Sequence, residues 1–206
     1  MTKLFAEHPF NSKSPYGFVV GTGDGESYRY LWRSRVYITK LDDEGEPAYE
    51  QVESVGFTDF SLLQIEGAIF LRIENAGKNI RDLLNSLETL IGMGFTAKPV
   101  TFESGRPTAV FHSVDSVKLV GLKVVGAVVA DDLVARMEFA SKEGMDIQRM
   151  EILSNLKYKV DNAVFEVVFE GIRGQISFSA NGSVKISGQI APRLIHFVEK
   201  DLPQFI

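Results

Sequence analysis

The run YRYLWRSRVYITKL, Tyr28 to Leu41, alternates in character over more than ten residues, and no other stretch limits the fold of this chain so strongly. Tyr28, Tyr30, Trp32, Val36 and Ile38 fall on one side and Arg29, Arg33 and Arg35 on the other. A period of two belongs to a strand, because successive side chains there point to opposite faces, whereas a helix would scatter these residues around its axis. A strand of this length needs hydrogen-bonding neighbours. The acidic segment DDEGEPAYE, Asp42 to Glu50, holds Gly45 and Pro47 and reads as an exposed turn, with Glu50 to Phe57 as the returning strand.

The same reasoning extends along the first half. Tyr16 to Val20 is a short apolar strand, and Phe60 to Ile65 and Ala68 to Ile73 form two more, joined by Glu66-Gly67 in a connection short enough for a hairpin. A helix follows: Ile80, Leu83, Leu84, Leu87, Leu90 and Ile91 lie on one stripe, Asn79 suits its cap, and Gly92 and Gly94 suit its end.

In the second half, Thr108 to Phe111, Val117 to Val120 and Leu122 to Val129 read as strands. Asp131 suits the cap of a second helix running to about Lys142, with Leu133, Val134 and Met137 inward and Gly144 as its stop. Strands then return over Glu151 to Val160, Val164 to Gly171, Gln175 to Ser179 and Ser183 to Ser187. Asn181-Gly182 is the strongest type I′ hairpin signal. Phe165, Val167, Phe169, Ile176, Phe178, Val184 and Ile186 give these strands an apolar side, while Glu166, Glu170, Ser177, Ser179 and Lys185 give a polar one. A last helix begins near Pro192, carries Leu194, Ile195, Val198 and Leu202, and stops at Pro203.

The expected fold class is therefore α+β, with antiparallel sheet or sheets backed by about three amphipathic helices. Residues 1–15 read as an irregular N-terminal arm and 16–206 as a single compact domain, with pseudo-repeat halves 16–97 and 98–206 as a further option. The option rests on order: FSLLQIEGAIFLRIEN leads into NIRDLLNSLE as GQISFSANGSVKISGQ leads into PRLIHFVEK, a duplicated strand-strand-helix unit. The second of these is similar, over roughly the last fifty residues, to one repeat of the TATA-box-binding proteins, in which a hairpin with a glycine at its turn feeds a terminal helix. The resemblance lies in the order of elements. No DNA-contacting residue carries over, and the acidic balance of this chain departs from that family.

With 206 residues, 45% hydrophobic and 24% charged, the chain can bury a core without disulfides or a structural metal. It has no cysteine, which excludes thiolate metal sites, iron–sulfur clusters and a cysteine nucleophile. The opening MTKLFAEHPFNSKSP lacks a signal-peptide core, and charges interrupt every hydrophobic run, so a soluble, cytoplasmic protein with no membrane partner is expected. A net charge of −5 is no overall match for nucleic-acid phosphates, although a local patch could supply one.

Chemical motifs fare poorly. Gly21, Gly23 and Gly25 miss the dinucleotide spacing and lead into a strand, where a pyrophosphate site needs a helix N-terminus. Gly77, Lys78 and Asn79 resemble the end of a P-loop but lack its earlier glycine and its Ser or Thr; they form a candidate anion site, which helix capping explains equally well. His8, His112 and His196 show no metal-ligand spacing. Ser113 and Asp115 near His112 do not make a triad. Glu166 and Glu170 stand about 13 Å apart by strand rise, too far for paired-acid chemistry. No catalytic residue, cofactor or metal is expected.

What remains is the arginine stripe. Arg29, Arg33 and Arg35, with Tyr37 beside them, span roughly 20 Å of one strand face, and guanidinium forks suit carboxylates or phosphates. The competing explanation is that Asp42, Asp43, Glu44, Glu46 and Glu50 fold back onto them as counter-charges. The leading functional expectation is a non-enzymatic binding or assembly module presenting a polar sheet face to a protein, with a homo-oligomer among the options. The alternatives are a nucleic-acid-binding subunit using the stripe with Lys157, Lys159 and Lys185, and an enzyme whose site is assembled from distant segments.

Overall fold

The computed structural model describes residues 1–21, 27–74, 80–102 and 109–205 and combines two antiparallel sheets, of four and five strands, with five short helices. Its contacts divide the chain into two compact units, Met1–Ala97 and Lys98–Ile206.

In the first unit, β1 (Tyr16–Val20), β2 (Ser27–Leu41), β3 (Pro47–Ile65) and β4 (Ala68–Glu74) form a sheet in simple sequence order. β3 is one strand of 19 residues where the sequence suggested two. Thr58-Asp59 contains no breaker, and both residues pair across to β2, Thr58 with Tyr30 and Asp59 with Arg29. The hairpin at Glu66-Gly67 is as expected: both residues hold positive φ, 49° and 83°, as a type I′ turn requires. Two helices cover one face. α1 (Thr2–Ala6), in the segment read as irregular, inserts Phe5 into the core, and α2 (Ile80–Ile91) contributes Leu83 and Leu87. They meet Phe18, Tyr28, Tyr30 and Phe60 from the sheet.

The second unit is a five-stranded sheet in the order β6-β5-β7-β8-β9. β5 (Ser116–Ala130) joins the two runs expected around Gly121 into one strand with bulges, and β6 (Leu133–Ala140) stands where the sequence suggested a helix. Ala135, Met137 and Phe139 alternate with Arg136 and Glu138, so the segment fits both periods, and pairing with the free edge of β5 through the Asp131-Asp132 turn decides for the strand. Leu133 and Val134, expected inward, are 57% and 62% exposed.

β7 (Lys159–Phe169), β8 (Ile172–Ser179) and β9 (Val184–Ser187) complete the sheet. Here the type I′ turn is Glu170-Gly171, with φ of 50° and 75°. At Asn181-Gly182 only the glycine has positive φ, and the Gly182 N–H bonds to Ser179 O, which makes a longer type I loop closed by a left-handed glycine. The expected strand at Thr108 to Phe111 is instead the short helix α3 (Ala109–His112), which seats Val110 in the core; a run so short carries no decisive period. The strand expected from Glu151 begins only at Lys159, because a 3₁₀ turn (Ile147–Arg149) and α4 (Glu151–Ser154) fold over the sheet and bury Leu153.

α5 (Ala191–Lys200) buries Leu194 and Val198 against Val167, Ile176 and Phe178, and a 3₁₀ turn over Leu202–Phe205 follows it. The fold is thus mixed sheet and helix, with five short helices in place of about three. Among the described residues, no helix is long and apolar enough to cross a membrane.

Candidate functional site

The arginine stripe lies where its period places it, on the face of β2 opposite the buried aromatics. Its members differ sharply in what they touch. Arg29 grips Asp59 with a two-pronged contact, Nε donating to Oδ1 at 2.6 Å and Nη2 to Oδ2 at 2.9 Å, and its guanidinium lies 4.4 Å from the Phe57 ring centre. The hydrogen bond from Arg29 holds the Asp59 carboxyl below its ordinary value, and the same bond raises Arg29. Arg33 donates to Glu53 at 3.3 Å and to the backbone oxygens of Ser14 and Asn11, and stacks over Phe10 at 5.1 Å. It pins the N-terminal segment to the sheet.

Arg35 is different. Its cross-strand neighbour is Glu53, but that carboxylate is engaged by Arg33, and Arg35 makes no ion pair among the described residues. The counter-charges of the stripe therefore come from β3 and not from the acidic loop. Among the described residues only Glu50 of that loop's five carboxylates forms an ion pair, with Lys40 on the other face, and Asp42 spends Oδ1 on the N–H groups of Glu44 and Glu46 to close the turn. Asp43, Glu44 and Glu46 make no ion pair among the described residues.

Strand lengths set the surroundings of Arg35 and Tyr37. β1 flanks β2 only as far as Trp32, and β4 flanks β3 only from Asp59, while β2 and β3 remain paired out to Leu41 and Pro47. The pairs from Arg33–Val55 to Leu41–Pro47 thus form a two-stranded ribbon extending past the rest of the sheet by about 27 Å at strand rise. Both of its faces are open. One carries Val36, Ile38 and Val52, and the other carries Tyr37, Leu41 and Tyr49, which are 72%, 70% and 73% exposed. The sequence reading placed Val36 and Ile38 on one side with Tyr28 and Tyr30; they share that parity but lie beyond the helices that bury those two.

The polar face of the second sheet holds an open groove of about 630 Å³. Lys123 from β5, Glu138 from β6, Asp161 and Asn162 from β7, Ser177 and Ser179 from β8 and Lys185 from β9 line it. Part of its lining is satisfied internally: Lys123 meets Asp161 at 2.9 Å, and Ser179 donates to Asn162 at 3.0 Å, while Glu138 and Lys185 make no ion pair among the described residues. Of the lysines considered for nucleic acid, Lys185 lies in this groove, Lys159 opens β7, and Lys157 precedes it. The stripe and these lysines occupy separate units.

Gly77, Lys78 and Asn79 lie outside the described residues, as do Gly23 and Gly25. His112 ends α3 on the surface, and Asp115 accepts a hydrogen bond from the Gly171 N–H at 3.2 Å, which ties the β7–β8 turn down. Glu170 sits in that turn and pairs with Arg193, so it does not share a strand face with Glu166. Among the described residues, no group of three or more acidic or histidine side chains is arranged to hold a metal.

The feature that sequence reasoning missed is the ribbon itself. Its signal was present as a mismatch of lengths, since fifteen residues of alternation in β2 face five in β1. Compared with known proteins, the chain matches no family model, no curated protein and no solved structure. The order of elements shared with a TATA-box-binding repeat therefore carries no further argument.

Proposed function

We propose that this protein is a non-enzymatic binding or assembly module that meets a protein partner through exposed sheet surface, and that the β2–β3 ribbon is the principal contact. One observation carries the reading: a two-stranded ribbon, only marginally stable by itself in water, holds Tyr37, Leu41 and Tyr49 out on one face. Large exposed aromatic and aliphatic side chains grouped in this way favour association, as they do at the centres of interfaces. The polar groove of the second sheet is a weaker candidate because Lys123 and Asp161 already pair within it and it presents no large apolar side chain.

Phosphate binding is less well supported. Arg29 and Arg33 are committed to carboxylates, and the ribbon ends in Asp42, Asp43, Glu44 and Glu46, which would repel a nucleic-acid backbone. The test is affinity capture from the native host with the full chain and with a variant in which residues 36–52 are replaced by Asn-Gly. A protein retained by the full chain at high salt and lost with the short ribbon is the expected outcome. Capture of nucleic acid that weakens steeply with salt, unchanged by shortening the ribbon, would overturn it.

A further inference from the structure

The ribbon, whose outer face is the one that carries Arg35, Tyr37 and Tyr49, has a charge order along its length. At its base stands Arg35, without an ion pair among the described residues, and at its apex stand Asp43 and Glu44, equally without one. Between them, Tyr37 and Tyr49 are diagonal neighbours across the strands, since Thr39 is the residue opposite Tyr49 and Gln51 the one opposite Tyr37. Thr39 is four residues from Arg35, or about 13 Å at strand rise, and Asp43 and Glu44 lie past it in the turn beyond Leu41. A cation thus lies on one side of an aromatic centre and a group of anions on the other.

That is the condition for a surface to complement itself by a two-fold rotation, in which each copy offers the other the same patch reversed. We propose that the partner is a second copy of this chain: two ribbons lie antiparallel, outer face to outer face, about an axis near Thr39. Each Arg35 then meets the other copy's Asp43 and Glu44, and Tyr37, Tyr49 and Gln51 of both copies fill the middle. The antiparallel arrangement also keeps the two acidic tips at opposite ends, whereas a parallel one would stack them.

The opposite ribbon face is less suited. Its one cation, Lys40, already pairs with Glu50, and its Val36 and Ile38 are 41% and 42% exposed against 72% and 73% for Tyr37 and Tyr49. A basic protein would complement the apex but would leave Arg35 facing like charge. The contact is small. One ribbon face of about 27 by 10 Å buries on the order of 600 Å² over both copies, well under the roughly 1,200–2,000 Å² of stable interfaces, so association is weak and concentration-dependent.

The inference rests on the module reading above and names its partner. The experiment is sedimentation equilibrium from about 5 to 500 μM on the full chain, spanning the micromolar range in which a contact of this size associates. Two charge variants accompany it: Arg35→Glu, and Asp43→Lys combined with Glu44→Lys. The wild-type mass should rise with concentration, and each variant alone should self-associate at least about tenfold more weakly, because like charges then meet at both ends. Mixed, the two variants should form a heterodimer of about wild-type affinity, since both ends are again complementary.

The chain has no cysteine, so a Thr39→Cys variant can form a disulfide only between copies. It should cross-link readily on oxidation, and Lys185→Cys should not. A wild-type chain monomeric throughout, or charge variants that associate like wild type with no gain on mixing, would overturn the proposal. If the chain is monomeric and yet the short-ribbon variant loses its captured protein, the module reading stands with a different occupant. If the chain is monomeric and capture is unaffected, both fail.

Discussion

β2 and β3 pass through two environments without changing their character. From Tyr28 to Trp32 the inward side chains pack beneath α1 and α2, with β1 on one side and the β3–β4 pair on the other; from Arg35 to Leu41 the same alternation continues with no third strand paired to it among the described residues. Tyr30 is 2% exposed and Ile38, on the same face of the same strand eight residues further on, is 42% exposed. Alternation assigns a residue to a face. Whether the face is buried depends on what lies over it, and that is set by helices and strands far away in sequence.

It follows that the base of the hairpin should carry the stability of the first unit and the ribbon very little. Phe60→Ala, in the middle of the aromatic cluster, should cost about 3–5 kcal/mol in urea unfolding, whereas Tyr49→Ala should cost under about 0.5 kcal/mol. Similar losses at the two sites would show that the ribbon packs against something in solution.

Gly56→Ala probes the boundary between the two regions. A Cβ at residue 56 would run into the indole of Trp32, and the crowding should cost about 1–3 kcal/mol. Trp32 is the only tryptophan, so a change in its emission maximum reports the displacement directly. An unshifted spectrum with unchanged stability would place the indole elsewhere.

Ser86→Ala removes the partner of the buried Tyr30 hydroxyl, whose oxygen lies 2.9 Å from Ser86 Oγ, and should cost about 1–3 kcal/mol. Burial is the main reason Tyr30 ionises above its ordinary value of 10.0. Its folded form holds the proton more tightly than its unfolded form. This contribution is therefore complete below pH 10.0 and falls away as pH rises toward the raised folded value, an alkaline loss that Tyr30→Phe should flatten.

The smallest effect belongs to the Arg29–Asp59 pair, which is substantially exposed and screened. Because the hydrogen bond from Arg29 lowers Asp59, its contribution is complete above the ordinary value of 3.8 and is lost as pH falls through the lowered folded value. Asp59→Asn should reduce the acid sensitivity of unfolding and leave neutral-pH stability nearly unchanged. A large loss at pH 7 would mean that the pair is more buried than its exposure indicates.

Legibility in the sequence followed the strength of the local signal. The stripe of α2, the parity of β2 and the Glu66-Gly67 turn were readable because each depends on residues a few positions apart. Glu170-Gly171, the same dipeptide as Glu66-Gly67, escaped because the run Val164 to Gly171 reads as strand to its end, and the pairing of β7 with β8 and the bond from Gly171 N–H to Asp115 place a turn there. β6 was misread because the free edge of β5 chose between two periods the residues satisfy equally. For the candidate site, Arg29, Arg33, Arg35 and Tyr37 were placed on the correct face, but nothing local separated the two arginines already engaged from the one that is not.

By itself, then, the sequence determined the alternating strands, the two amphipathic helices at Ile80–Ile91 and Ala191–Lys200, and the side of β2 on which each arginine stands, because these follow from backbone periodicity. The tertiary structure decided that β1 and β4 stop short while β2 and β3 continue, that Asp59 and Glu53 engage Arg29 and Arg33, and that Arg35 shares an open face with Tyr37 and Tyr49. Those outcomes depend on register and on the reach of neighbouring elements. Such long-range geometry has no counterpart in the spacing of residues along the chain.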